Sequence, residues 1–237
     1  NFLKIANKYK SELFPSRIKN IIKKTKVLYQ EYLRICAEEI ISKGHLKKEF
    51  IFIIGMPRSG SSLLESILSR NDKVYCLGET NFIEESYEEF NTQNEIIKKK
   101  SFEQIYIKKL KIDKKRYNIV TDKMLSNYQY LGVIHELIPN AKFIHCYRNP
   151  LDNILSIYRS NFERGLSFSS SISDSAKLYL DQDEIINKYR NLNNIEIYSQ
   201  CYEKLVKDPE KEIKNLINWI GWKWNDKYLS PHLSKRS

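Results

Sequence analysis

A three-layer α/β fold is predicted for this chain: a central parallel sheet of about five strands flanked by helices, with an N-terminal helical extension. Three observations predict it. The run Phe50-Ile51-Phe52-Ile53-Ile54-Gly55-Met56-Pro57-Arg58-Ser59-Gly60-Ser61-Ser62-Leu63-Leu64-Glu65 changes character twice: an apolar, β-branched and aromatic stretch stops at a glycine, a short polar loop follows, and an amphipathic stretch opens. Short strand-like runs then alternate with helix-period segments, as in a parallel sheet covered on both faces. Finally, 237 residues with a 41% hydrophobic share suit one α/β domain with a substantial core and a small appendage.

Taken in order, residues 1–46 are expected to be helical with a break near Pro15. One helix ends in Tyr9-Lys10-Ser11-Glu12-Leu13-Phe14, and a long one runs from Ser16 to a closing Gly44. Strand one covers 50–55 and the loop helix 60–70; a short second strand covers 74–76. Polar helices are expected within 79–90 and 93–112, and a third strand over 117–123. The amphipathic segment 128–138 is a helix stopped by Pro139, and 141–147 is strand four. Residues 150–162 form a helix with Pro150 in its first turn. After a Ser-rich loop, Ser173 or Asp174 is expected to cap a helix near 175–191. A fifth strand over 195–200 and a helix over 208–221, with Gly221 past its end, complete the alternation. The division expected is 1–46 as helical extension, the end of a helical-repeat region or a simple appendage, and 47–237 as the α/β domain. The chain begins at Asn1 rather than Met and stops at Ser237 without a capping or breaking signal, so sequence is expected to be missing at both ends.

Chemistry concentrates in the first loop. Gly55 and Gly60 have the spacing of the phosphate loop G-x-x-x-x-G-K-[ST], but Ser61 stands where the lysine belongs and the cation is Arg58, inside the loop. Gly60 permits positive φ and a close approach of backbone amides to an anion, and the helix N-terminus favours negative charge at the same place. Ser59, Ser61 and Ser62 add hydroxyl donors, one of which is expected to cap the helix. Arg58 offers a planar charged fork for phosphate or sulfate oxygens. The plain alternative is a strand-turn-helix with a serine cap.

With its neighbours, this loop resembles the 5′-phosphosulfate loop of sulfotransferases. The resemblance is to the branch with P-R-S-G-T-T, which includes protein-tyrosine sulfotransferases and bacterial sulfotransferases carrying tetratricopeptide repeats. Three further segments match in the family's order: CLGETNFI at 76–83, TDKMLSNYQYLGVIHELIPNAKFIHCYRNPLDNILSIYRSNF at 121–162, and CYEKLVKDPEKEIKNLINWIGWKW at 201–224. Ser61 and Ser62 replace the family's Thr-Thr and keep its hydroxyls.

The resemblance implies a P-loop fold and sulfuryl transfer from 3′-phosphoadenosine 5′-phosphosulfate to an acceptor hydroxyl, with 3′-phosphoadenosine 5′-phosphate as product and no metal. It implies that Gly55, Ser59, Gly60, Ser61 and Ser62 cradle the 5′-phosphate. Arg58 contacts the bridging oxygen, Glu79 serves as general base, and Lys123 stabilises the transition state. Arg148 and Ser156, spaced R-x-x-x-x-x-x-x-S, implied as a pair, hold the 3′-phosphate, and Tyr202 helps hold the cofactor. In relatives a T-A-S-like run follows the point where this chain stops.

The net charge of +11 suits an anionic small molecule, a nucleic acid or a membrane surface. No nucleic-acid motif is present, and the lysine runs read mostly as solvated faces. No apolar stretch reaches the roughly 18 residues of a membrane span. Cys36, Cys76, Cys146 and Cys201 form no C-x-x-C pair, and the four histidines show no ligand spacing. A reducing cytoplasm fits these cysteines. Two competing readings are a P-loop kinase, which lacks the lysine and has Asp122 directly before Lys123, and a non-catalytic nucleotide-binding module attached to helical repeats. The acceptor, whether peptide tyrosine, sugar or small molecule, is not encoded in a readable motif; segments 81–116 and 163–194 are expected to shape its pocket.

Overall fold

The structure, a computed structural model, describes residues 2–37, 48–92, 101–112, 116–138, 140–162, 166–192 and 195–234. The expected helix end at Gly44, the segment 93–100 and the stop at Pro139 lie outside the described residues.

Five strands form one parallel sheet: β1 Glu49–Gly55, β2 Val74–Cys76, β3 Ile119–Asp122, β4 Ala141–Tyr147 and β5 Ile197–Cys201, in the order β2-β3-β1-β4-β5. β1 is central, with Phe50 opposite Val120 on one side and Ala141 on the other. Burial on both faces explains its unbroken apolar run: Ile51, Phe52, Ile53 and Ile54 are all fully buried.

Alternation along β1 divides the core. Phe50, Phe52 and Ile54 face a large cluster covered by α2 (Ile18–Ala37), α4 (Phe82–Asn91), α5 (Phe102–Lys109), α6 (Leu131–Leu137) and α8 (Ile172–Arg190). Ile51 and Ile53 face a second cluster built with α3 (Ser61–Leu68) and α10 (Pro209–Ile220). α7 (Pro150–Arg159) contributes Ile157 to a third, smaller cluster with Met56 and Phe168. α1 (Phe2–Leu13) lies against the end of α7, where Asn7 Nδ2 donates to the Tyr158 carbonyl at 2.9 Å.

Local signals end most elements where the sequence places them. Asn149 caps α7 ahead of Pro150, Asp208 caps α10 ahead of Pro209, and Gly221 closes α10 at φ 88°. Four expectations shift. α8 begins at Ile172, because Ser171 stays extended and its hydroxyl accepts the Asp174 amide, so Ser171 and neither Ser173 nor Asp174 is the cap. Residues 125–130 form a 3₁₀ turn before α6, since the Asp122 carboxylate draws in Met124 N and Asn127 Nδ2 and tightens the chain there. α7 stops at Arg159, short of residue 162, where Ser160 turns extended. Finally, β5 begins two residues later and ends one residue later than expected, and leads straight into an additional short helix, α9 (Tyr202–Lys207).

Candidate functional site

β1 is flanked by β3 on one side and β4 on the other, so the chain changes direction of winding at its carboxyl end. That end is where an open parallel sheet leaves a crevice for ligands. The loop Gly55–Gly60 occupies it. Gly55 has φ 150°, and a Cβ there would lie 2.3 Å from the Cys146 carbonyl oxygen, so only glycine lets β1 and β4 approach this closely. Gly60, φ 93°, is the N-cap of α3, and a Cβ on it would lie 2.5 Å from the Tyr202 ring.

No side chain caps α3. The expectation that Ser59, Ser61 or Ser62 does so is therefore corrected: with the left-handed Gly60 in the cap position, the first-turn amides are left for an external anion. Ser59 is buried, with its hydroxyl lacking a protein partner, and Ser62 is exposed.

Arg58 is exposed and has φ 67°, left-handed backbone that a non-glycine residue adopts only when its surroundings enforce it. Its Nε donates to Ser156 Oγ at 3.2 Å. Ser156 is thus bonded to the loop arginine rather than to Arg148. Arg148, at the end of β4, lies with its guanidinium carbon 4.7 Å from the centre of the Tyr202 ring and its Nε 3.9 Å from Glu203 Oε1. Burial pushes the Glu203 carboxyl up, but the Asn149 amide, the Cys201 thiol and Arg148 outweigh it and hold the group below its ordinary value. Tyr202 in turn lies against Gly60, so the second pair stands beside the loop that carries Arg58.

A second group lies at the ends of β2 and β3. Lys123 N donates to the Gly78 carbonyl at 3.0 Å, which ties the Gly78-Glu79-Thr80 turn beside β3. Lys123 Nζ then bonds Glu79 Oε1 at 2.6 Å and lies 3.8 Å from Glu65 Oε2 on α3. Lys123 is 8% exposed and Glu79 60% exposed, so a buried cation meets a carboxylate open to incoming groups. Asp122 points the other way: 1% exposed, it accepts from Tyr106 OH at 2.8 Å, Met124 N at 3.0 Å and Asn127 Nδ2 at 3.1 Å. Burial, against those donors, raises its carboxyl to about 7.

The structure thus pairs Arg58 with Ser156 and Arg148 with Tyr202, whose ring lies against Gly60 of the loop, and separately pairs Glu79 with Lys123, which also lies near Glu65 of α3. Sequence reading missed Glu65, Glu203 and Asn153. Glu65 alone carried a signal, being one helical turn beyond Ser61. Among the described residues no group of three or more His, Cys, Asp or Glu side chains could hold a metal ion, and no helix is long and apolar enough to cross a membrane.

Comparison with known proteins bears on this arrangement. The model of the sulfotransferase family matches residues 50–226. An uncharacterized protein of Aquifex aeolicus (strain VF5) is 29% identical over 95% of this chain and 33% of its own length. Protein-tyrosine sulfotransferase 2 of Gallus gallus is 24% identical over 84% of this chain and 58% of its own length. The chain therefore spans about a third of the first of these relatives and somewhat under two thirds of the second. The sulfotransferase domain from the curacin biosynthetic pathway shares the fold at TM-score 0.61 and 18% identity, covering 81% of this chain and 80% of that one. Mouse sulfotransferase SULT7A1 complexed with PAP matches at TM-score 0.50 and 17% identity, covering 80% and 68%.

Proposed function

Because the chain belongs to the sulfotransferase family, we propose that it transfers a sulfuryl group from 3′-phosphoadenosine 5′-phosphosulfate to the hydroxyl of an acceptor. The observation that carries this reading is the pairing of an uncapped, arginine-bearing anion loop with a lysine–glutamate pair at the neighbouring strand ends. The mouse relative bound to PAP supports the choice of donor. The donor, when bound, supplies an activated sulfuryl group on its 5′-phosphate.

The residues present suit that ligand. The α3 amides, Arg58 and the loop serines would hold the 5′-phosphate and offset the charge that develops there as the leaving group departs. Arg148 and Ser156 would hold the 3′-phosphate, and Tyr202 would help hold the donor. Glu79 accepts the acceptor's proton as the acceptor oxygen attacks sulfur, and the bond from sulfur to the phosphate oxygen breaks. Lys123, released from Glu79 as that carboxylate is protonated, offers its charge to the transferring group. The products are a sulfate ester and 3′-phosphoadenosine 5′-phosphate. Peptide tyrosine, sugar and small-molecule hydroxyls all fit this scheme. The kinase reading loses support because Asp122 is turned into the core rather than toward the loop.

Calorimetric titration of 3′-phosphoadenosine 5′-phosphate into wild type and Arg148→Ala tests the reading, followed by transfer of labelled sulfate to a panel of hydroxyl acceptors. Tight binding that drops sharply in the variant is the expected result. Binding of ATP with Mg²⁺ but not of the bisphosphate would overturn it, and cofactor binding without transfer to any acceptor would favour a non-catalytic module.

A further inference from the structure

Asn153 lies in α7, fully buried, with no place in the chemistry above. Its Nδ2 donates to the Pro57 carbonyl at 2.9 Å. We infer that Asn153 is a positioning residue of the anion loop: by holding the Pro57 carbonyl it keeps Arg58 in its left-handed conformation, so that guanidinium and loop amides converge on the donor's 5′-phosphate. The inference rests on the cofactor reading above.

A fully buried carboxamide in a helix is unfavourable unless its hydrogen bonds repay the lost water. An aliphatic side chain, such as the neighbouring Ile154 and Ile157 carry, would fill the space without that cost. The Asn153 bond runs to a carbonyl immediately before a residue at φ 67°. Rotation of the Pro57–Arg58 peptide would have to break it.

Asn153 and Ser156 stand three apart on α7 and share a face. Asn153 holds the backbone before Arg58, while Ser156 holds its side chain through Nε at 3.2 Å. One helix therefore fixes the arginine at both ends. The carboxamide oxygen of Asn153 is buried without a protein partner, and Asn153 lines a small cavity with Ser59, Arg148 and Gln182. The asparagine thus sits in a polar seam between the loop and α8, where apolar packing alone gives no reason for its amide.

The test separates the two phosphates. Affinities for 3′-phosphoadenosine 5′-phosphate and for adenosine 3′-phosphate, which lacks the 5′-group, are measured for wild type, Asn153→Leu and Asn153→Ser. Serine is too short to reach Pro57 and serves if leucine overpacks; circular dichroism and thermal melts check the fold. The bisphosphate is expected to bind about tenfold more weakly to the variants. Adenosine 3′-phosphate should change by less than about twofold, since its contacts lie with Arg148. Equal weakening of both ligands, or no change in either, overturns the inference while leaving the cofactor reading intact. A wild type that binds neither ligand overturns that reading, and the inference with it.

Discussion

Arg58 and Ser156 are separated by 98 residues, yet a single hydrogen bond from Nε to Oγ at 3.2 Å joins the loop after β1 to the helix after β4. The bond fixes one edge of the guanidinium and leaves the remaining N–H groups for a ligand. Arg58→Lys keeps the charge but loses the planar fork, so affinity for 3′-phosphoadenosine 5′-phosphate should fall about tenfold or more. Ser156→Ala should cost less, about threefold to tenfold. Calorimetry on both variants measures this, and unchanged affinity in both would remove the pair from the site.

Glu79 and Lys123 should behave differently from the arginine. Glu79→Gln keeps the size and the hydrogen-bonding reach toward Lys123 but removes the base. Transfer from labelled donor to a competent acceptor should fall by about 10²–10⁴, with cofactor affinity nearly constant. Lys123→Met should likewise reduce rate more than binding. A Glu79→Gln enzyme with full rate would assign the proton to another group.

Gly60 is constrained twice, by its φ of 93° and by the Tyr202 ring 2.5 Å from the Cβ it lacks. Gly60→Ala should abolish cofactor binding through displacement of the loop. Adding Tyr202→Ala relieves the contact but not the backbone strain, so the double variant should recover only part of the affinity. Full recovery would show that the ring alone restricts the position.

The buried Asp122 yields a pH signature. Burial raises its carboxyl to about 7, while the unfolded chain titrates near about 4. The folded state thus holds the proton more tightly: the contribution to stability is complete below about pH 4 and is lost as pH rises to about 7. His145 runs oppositely. Burial and then Arg190 depress it to about 3, so its contribution is present above about pH 6.5 and is lost as pH falls. The two slopes overlap in wild type, and the difference from Asp122→Asn isolates the first. Denaturant titrations at pH 4.5 and 7.5 should show the variant gaining on wild type, by on the order of 1–3 kcal/mol, at the higher pH. A constant difference would mean the carboxyl is ionised throughout.

Strands were the most legible part of the sequence, because burial on both faces writes continuous apolar runs such as Phe50–Ile54. The loop was legible because glycine spacing and a cation mark it. What the chain concealed depends on distant neighbours. Asn153 carries no motif in the helix after β4, and its burial and bond to Pro57 show only once α7 packs on the loop. Nothing in the local sequence links Ser156 to Arg58 rather than Arg148, since the bond joins side chains 98 residues apart. α9 follows β5 with no turn residue between them, so no punctuation announced it.

Gly132 on α6 lacks a side chain where the Tyr32 ring of α2 stands, 2.5 Å from its would-be Cβ, with Tyr189 of α8 at 2.8 Å. Leu28, Tyr32 and Ile35 belong to the same buried cluster as the central strand. Any change that displaces α2 therefore uncovers part of the cluster on one face of the sheet, a loss that α4, α5, α6 and α8, which cover the rest, are not placed to make good.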